Sequence, residues 1–543
     1  MSIFGSISDP AATFLLTGAR VVDPSAGEDR VRDLAVVDGL LADPAALPAD
    51  APRIDASGFV ATPGLCDLHT HLREPGLERA ETIASGTRAA ARGGFTTVCA
   101  MPNTDPPPDD SESVRWILDR AGGAASRVRV VAAATQGRGG EQPTNVVELA
   151  ASGIVGVSDD GAAIGSGAVA RELLAGLASL GLPLIEHAED ARTAQGSVMR
   201  AGPTATRLGL AGWPESAELS MVERDIALAE ETGAWVHFTH LSTAGALEAI
   251  RRAKRRGIRV TCDVTPHHLA LTDDWVAGWR GFAWEEPGGV AADPFGAPLD
   301  AALAYDPACR VNPPLASRGD AMALLAGVAD GTIDAIATDH APHPRERKGV
   351  EFGAAAPGMI GLETALSLGL AAVESGSLEL VRLIEALSTK PASLIGETRS
   401  LAAGSVADLV VFDAGARWRL GASGLASTSS NTPLLGMELP GVVRMTVAGG
   451  RITYRDGLDA RRLSPGCGTM RTAHPAASDG CRSARTRNSI RMRDQASGAS
   501  SGRRSCSPAS SSSSLSACSA STGRSGCWWC FSSSTWSCSS SSA

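Results

Sequence analysis

A parallel α/β barrel is the fold this sequence predicts, and three observations predict it. Across residues 63–396, apolar strand-like runs alternate with Ala- and Leu-rich amphipathic helical stretches, the pattern of strand–helix units laid side by side. That stretch is long enough to close eight such units into a ring. Nine of the ten histidines fall at or beside the ends of the strand-like runs, where barrels of this kind keep their chemistry.

Taken in order, residues 1–62 hold short β-like runs at Thr13–Leu16, Ala19–Val22, Leu34–Val37 and Phe59–Thr62, separated by Gly, Asp and Pro. Such spacing predicts a small antiparallel sheet. Similar runs return within 397–463, at Ala407–Phe412 and at Val442–Arg451 with its turn-like Ala448-Gly449-Gly450. The two ends are expected to make one discontinuous β-sandwich domain with the barrel inserted between them. Two unrelated hairpin patches are the alternative.

The barrel opens with Leu65-Cys66-Asp67-Leu68-His69-Thr70-His71-Leu72-Arg73-Glu74-Pro75-Gly76. Side chains alternate along a strand, so His69 and His71 share a face. Two imidazoles at a strand end can grip one metal ion, and imidazole suits zinc. Glu78–Arg92 reads as a helix stopped by Gly93-Gly94, and Phe95–Met101 as the next buried strand. Further strands are expected at Val128–Ala133, Ile154–Val157, Pro183–His187, Trp235–Thr239, Ile258–Asp263 and Ala335–Thr338. Trp275–Asp306, rich in Gly, Pro and aromatics, reads as a long surface loop.

Residues 464–543 differ in kind. They carry nine Arg, two acidic residues, no Lys and seven of the 11 cysteines, in a Ser-rich background without helical or strand period. Such a segment is expected to stay disordered, and its composition also fits translation in a shifted reading frame. Its net charge of +7 leaves −17 on the remainder of a chain whose total is −10, which argues against nucleic acid or an anionic membrane as partner. The other four cysteines are widely spaced, as in a reduced cytoplasm. Neither a secretory signal at Met1–Thr17 nor an apolar stretch long enough to span a bilayer is read, so the expected location is cytoplasmic.

Polar residues gather at the predicted strand ends: His187 in Ile185-Glu186-His187-Ala188-Glu189-Asp190, His237 and His240 in Trp235–Thr243, His267 and His268 after Pro266, His340 and His343 in Thr338–His343, and Asp159-Asp160-Gly161. Alone, Asp159-Asp160-Gly161 would be a plain turn and Asp339 a cap. Beside a histidine-bound metal, such carboxylates can bridge two cations or carry a proton.

Together, His-x-His-Leu-Arg-Glu-Pro-Gly, Met-Pro-Asn-Thr, Asp-Asp-Gly, His-Ala-Glu-Asp, His-Leu-Ser-Thr, Val-Asn-Pro-Pro-Leu and Ala-Thr-Asp-His-Ala-Pro-His resemble a dihydroorotase of the amidohydrolase superfamily. The likeness is to the bacterial class I type, with an aspartate in place of the carbamylated lysine. No Lys lies between Glu74 and Ala188, and Asp160 stands in the matching place. The resemblance implies an amidohydrolase-type barrel and two zinc ions per subunit. His69, His71 and Asp339 would hold one, His187 and His240 the other, with Asp160 bridging. It makes Asp339 the catalytic proton carrier, and Arg73, Asn103, Asn312 and His343 substrate contacts, with Pro357 and Gly358 offering backbone contacts. An Arg fork suits a carboxylate and an Asn amide suits an imide ring, although Arg73 could instead pair with Glu74 or Glu78 on the surface. His237 and His267 are expected to support the ligands or the fold.

The implied reaction is the reversible cyclisation of N-carbamoyl-L-aspartate to L-dihydroorotate in pyrimidine synthesis, by a homo-oligomer with aspartate transcarbamoylase as a possible partner. Hydantoinase or allantoinase activity is the rival within the fold, and a metal-free scaffold for the transcarbamoylase is the rival outside catalysis. Arg73 and Asn103 weigh against the first, and the retained histidines against the second.

Overall fold

The computed structural model describes residues 3–285 and 302–458. The expectation for 464–543 lies outside them. Eight parallel strands lie side by side in chain order: β1 (Leu65–Thr70), β2 (Phe95–Ala100), β3 (Arg127–Ala133), β4 (Gly156–Ser158), β5 (Pro183–Glu186), β6 (Trp235–Phe238), β7 (Val260–Val264) and β8 (Ala335–Ile336). The ring closes where Thr70 pairs with His340 and the His71 N–H donates to the His340 carbonyl at 3.0 Å. Asp67 pins that seam from inside, accepting from the Thr338 N–H at 2.8 Å and from the hydroxyls of Thr338 and Thr70 at 2.5 and 2.7 Å.

β1 and β2 are buried along their whole length, as strands covered on both faces must be. Leu68, Met101, Val131, Ile185, Ala335 and Ala337 fill the ring. A larger apolar cluster, with Leu65, Phe95, Leu173, Val236 and Ile250 among its members, joins the strands to the surrounding helices. The first helix is shorter than its sequence predicts, Ile83–Arg92 rather than Glu78–Arg92. Thr82 takes the cap because its hydroxyl accepts from the Ser85 N–H while Ser85 answers to the Thr82 N–H. That reciprocal pair starts the helix where it stands. Glu78 instead accepts from the Gly76 N–H at 2.8 Å.

Strands from both ends of the described chain share one nine-stranded sheet, running Ile3–Phe4, Arg451–Arg455, Glu438–Ala448, Leu409–Arg419, Val60–Pro63, Phe14–Asp23, Glu28–Val37, Leu40–Ala42, with Arg53–Asp55 beside Phe14–Asp23. It covers its own core of Phe14, Leu16, Ile54, Leu409 and Met445. The runs read separately at Thr13–Leu16 and Ala19–Val22 are one strand. Gly18, at φ +70°, shifts its register by a bulge, which breaks the alternation that sequence reading depends on.

Trp275–Asp306 departs from the surface loop expected of it, as far as it is described. Trp275 is fully buried with Val276 and Ala277, and its indole N–H donates to the Gly281 carbonyl at 2.7 Å. Tyr305 returns to donate its N–H to Val276 and its hydroxyl to Leu208. Residues 286–301 lie outside the described part.

Candidate active site

The chain leaves β1 through His69 and His71, β4 through Asp160, β5 through His187, β6 through His240 and β8 through Asp339, so one end of the ring collects all six. All are buried. His69 Nε2 lies 3.3 Å from His71 Nε2 and 3.4 Å from both Asp160 Oδ1 and Asp339 Oδ1. His71 Nε2 is 3.0 Å from Asp339 Oδ1 and 3.5 Å from Asp160 Oδ2. On the far side of Asp160, His187 Nδ1 and His240 Nε2 are 2.9 Å apart, and 3.6 and 3.5 Å from Asp160 Oδ1.

Those separations test whether the residues fit metal ions. Nitrogens bound at about 2.0–2.1 Å to one tetrahedral ion sit about 3.3–3.4 Å apart, as His69 and His71 do at 3.3 Å, while His187 and His240 lie closer, at 2.9 Å. The set His69, His71 and Asp160 and the set Asp160, His187 and His240 each gather their ligand atoms within 4.8 Å, sharing the aspartate. Asp160 Oδ1 has no hydrogen-bond partner although it is buried, an orphan that a cation would satisfy. The donor set of imidazole nitrogens and carboxylates fits a divalent ion.

Electrostatics agree. Burial works against charge on His69 and His187, but Asp160 outweighs it, helped by Asp339 at the first and Glu189 at the second, lifting these imidazoles to about 9 and about 10. Burial also opposes charge on Asp160 and Asp339, yet the surrounding imidazoles hold both carboxyls far below their usual range. The cradle is anionic and draws positive charge, as protons or as metal. His240, Asp339 and Arg73 also take φ of +40°, +44° and +61°, a region costly for side-chain-bearing residues and concentrated at functional sites.

Outer partners fix which nitrogen each imidazole offers. The Asp263 carboxylate accepts from the His240 N–H at 2.7 Å, His237 Nε2 at 2.9 Å and the Thr239 hydroxyl at 3.1 Å. Because the Thr239 proton points at Asp263, its oxygen accepts from His69 Nδ1 at 2.7 Å. His69 Nε2 is thereby left bare toward the cluster. His237 is therefore a support of the site, with Thr261 on its other nitrogen at 2.8 Å. Glu189 does the same for His187, 2.9 Å from Nε2, so that Nδ1 faces inward. The sequence alone assigns no role to Asp263, Thr239 or Glu189. The only signal for Glu189 was its place in His-Ala-Glu-Asp. His267 packs against His268 with ring centroids 4.6 Å apart and planes tilted at 45°, and its buried Nε2 has no hydrogen-bond partner among the described residues. His340 Nε2 faces buried Glu81 at 3.4 Å, bracing the backbone next to Asp339.

The cluster forms the floor of a cavity of about 200 Å³ whose wall includes Arg73, Asn103, Asn312, His343, Pro357 and Gly358. Arg73 is buried and does not pair with Glu74 or Glu78. Its Nε donates to the Pro342 carbonyl at 3.3 Å, while Glu74 holds Arg120 at 2.7 Å. Burial lowers the guanidinium to about 10, so it stays charged at neutral pH. Asn103 is turned inward: its amide N–H donates to the Asp160 carbonyl at 2.7 Å, leaving Oδ1 buried without a partner. Asn312 donates to Glu189 at 2.7 Å. Burial and neighbouring Arg73 hold His343 near 3, a neutral ring whose Nε2–H donates to the Pro357 carbonyl at 2.7 Å.

Residues 58–246 match the family model described as dihydro-orotase-like. Over 447 residues the chain is 47% identical to a dihydroorotase of Anaeromyxobacter dehalogenans (strain 2CP-C), covering 81% of this chain and 98% of that protein. The chain belongs to the dihydroorotase family. A family member from Trichlorobacter lovleyi is 44% identical over 445 residues, covering 81% of this chain and 99% of its own. Among solved structures, an L-hydantoinase (dihydropyrimidinase) from Arthrobacter aurescens superposes with TM-score 0.68 at 24% identity, over 83% of this chain and 96% of that one. That likeness speaks for the shared amidohydrolase barrel. The dihydroorotase family is one of cyclic amide hydrolases, so the His/Asp cradle belongs to a metal-assisted enzyme acting on a small molecule.

Proposed function

We propose that this chain is a dihydroorotase, interconverting N-carbamoyl-L-aspartate and L-dihydroorotate with two zinc ions per subunit. One observation carries the choice of substrate: Arg73, a buried guanidinium on the cavity wall, makes no ion pair within 4 Å among the described residues. Dihydroorotate brings a free carboxylate, which the guanidinium fork takes in two parallel hydrogen bonds. Neither hydantoin nor allantoin carries one.

His69, His71 and Asp339 would hold one ion, His187 and His240 the other, with Asp160 between. Bound there, the metal supplies Lewis acidity and lowers the pKa of water. The residues do the rest. Asp339 is kept ionised by the imidazoles around it, so it can accept a proton from the attacking water and return it to the leaving ring nitrogen. Arg73 fixes the carboxylate end, neutral His343 presents its free Nδ1 to the ring, and the Pro357–Gly358 backbone flanks it. Asn103 holds Asp160 and offers its carbonyl oxygen. In the biosynthetic direction the same groups act in reverse order.

Turnover of dihydroorotate, hydantoin and allantoin by the full chain tests this reading. Preference for dihydroorotate by orders of magnitude, lost on Arg73→Met, is the expected result. Equal turnover of hydantoin would overturn it. A cytoplasmic location, a homo-oligomeric state and docking on aspartate transcarbamoylase belong to the same proposal. Sedimentation with and without the transcarbamoylase tests the last two.

A further inference from the structure

Behind the cavity wall, at the end of the helical turn Arg345–Lys348, the Lys348 side chain is buried. Its ammonium donates to three backbone carbonyls, those of Arg310 at 3.1 Å, Ala356 at 2.9 Å and Gly358 at 3.0 Å. An ammonium has three protons, so each one is spent on the wall. Ala356, Pro357 and Gly358 line the cavity, and Arg310 stands two residues before Asn312, which lines it too. Among the described residues no carboxylate lies within 4 Å of this charge. Burying such a group is costly unless dipoles replace its water, and here three carbonyls do.

The wall's other ties each hold it at a single point: the Ala356 N–H donates to the Arg347 carbonyl at 2.9 Å and His343 Nε2 to the Pro357 carbonyl at 2.7 Å. The Gly358 N–H donates to Arg310 at 2.9 Å, and Asn431 donates to Ala341 and Gly358 at 3.0 and 3.1 Å. Gly358, at φ +131°, packs so closely that an added Cβ would lie 2.7 Å from that of Ala341 and 3.1 Å from His343 Nε2. A small displacement of 356–358 therefore reaches His343 and the cavity.

We propose that the Lys348 ammonium is a positioning residue, which clamps 356–358 and the approach to Asn312 at the spacing the substrate needs and so governs KM rather than kcat. This rests on reading the cavity as the cyclic-amide site. Its charge state matters as well. Burial lowers Lys348 to about 8, with Cys309 and Asp306 favouring the charge and Arg310 opposing it, and nearby His343 is itself held neutral. Above that pH the neutral amine keeps two donors for three carbonyls, and the clamp loosens.

The test uses the metal-loaded full chain. Lys348→Met is expected to raise KM for dihydroorotate about tenfold or more, the loss of one satisfied polar group, with kcat within about threefold. Wild-type KM should climb between pH 7 and 9, about one unit either side of the lysine's value, while Lys348→Arg, charged throughout, should stay flat. Hydrogen exchange at pH 7, half-complete in shorter times for peptides covering 308–312 and 354–362 in Lys348→Met, reads the clamp without any substrate. Unchanged KM, an alkaline rise retained in Lys348→Arg, or unchanged exchange in both peptides would overturn the clamp. Absence of dihydroorotate turnover in the wild type would instead strike the functional reading, and the exchange measurement would still decide the clamp.

Discussion

Asp263 makes no contact with the cavity, yet Asp263→Asn should weaken metal binding. The carboxylate accepts from Thr239, His237 and the backbone of His240, and through Thr239 it dictates that His69 carries its proton on Nδ1. An amide keeps one acceptor oxygen and replaces the other with an NH₂ that only donates. With Oδ1 kept on the His240 N–H, the new NH₂ faces two donors, His237 Nε2 and the Thr239 hydroxyl. Either must turn away or remain unsatisfied, a cost of about 1–3 kcal/mol. Supporting partners of this kind are worth about 10–100-fold in metal affinity, or about 1.4–2.7 kcal/mol. Competition with a chromophoric chelator measures it directly, with circular dichroism to verify folding. The variant should bind metal in that reduced range and recover most turnover at saturating metal. Affinity within about twofold of wild type, in a folded variant, would refute the orienting role assigned to Asp263.

Asp339→Asn should retain much of its metal, because His69, His71 and Asp160 remain, while kcat falls by about 10²–10⁴ for loss of the proton carrier; substantial residual turnover would contradict that role. Glu218, buried beneath the His240 loop, accepts from the Ser242 N–H and hydroxyl at 2.8 and 3.1 Å and from the Thr243 hydroxyl. Burial raises it to about 7 against the hydrogen bonds that favour its ionised form. A raised carboxyl pKa means the folded state holds the proton more tightly. The stability this gives is full below about 4.5 and is lost as pH rises through about 7, amounting to about 3 kcal/mol. Glu218→Gln imitates the protonated group, so urea unfolding at pH 5 and pH 8 should differ less in the variant than in wild type. Parallel profiles would refute it.

The barrel was legible because each strand is a short apolar run that ends in a distinctive polar residue. The His-x-His pair is legible because few residue types grip a metal at that spacing, whereas Asp160 and Asp339, a turn and a cap on their own, are singled out only by the family resemblance. Their supports are not. Asp263 and Glu189 are ordinary acids in sequence, and their roles arise from contacts such as that between His69 and Thr239, 170 residues apart. Lys348 sits in an unremarkable Arg-Glu-Arg-Lys run and becomes informative only once its three carbonyl partners are seen. The first helix begins five residues later than its sequence predicts because Thr82-x-x-Ser85 is a weaker start signal than one ending in Glu or Gln. Gly18 hid one long strand as two. Composition predicts a surface loop at Trp275, whereas its bulk carries it into the core.

Metal titration of the chelator-stripped enzyme, with dihydroorotate turnover followed at each addition, bears most directly on the proposed centre. Activity should be absent without metal and rise to a plateau near two equivalents of zinc per chain, and His187→Ala should abolish one of the two binding steps. Full turnover in the stripped enzyme, or a plateau unaffected by His187→Ala, would contradict the shared His/Asp cradle as the seat of catalysis.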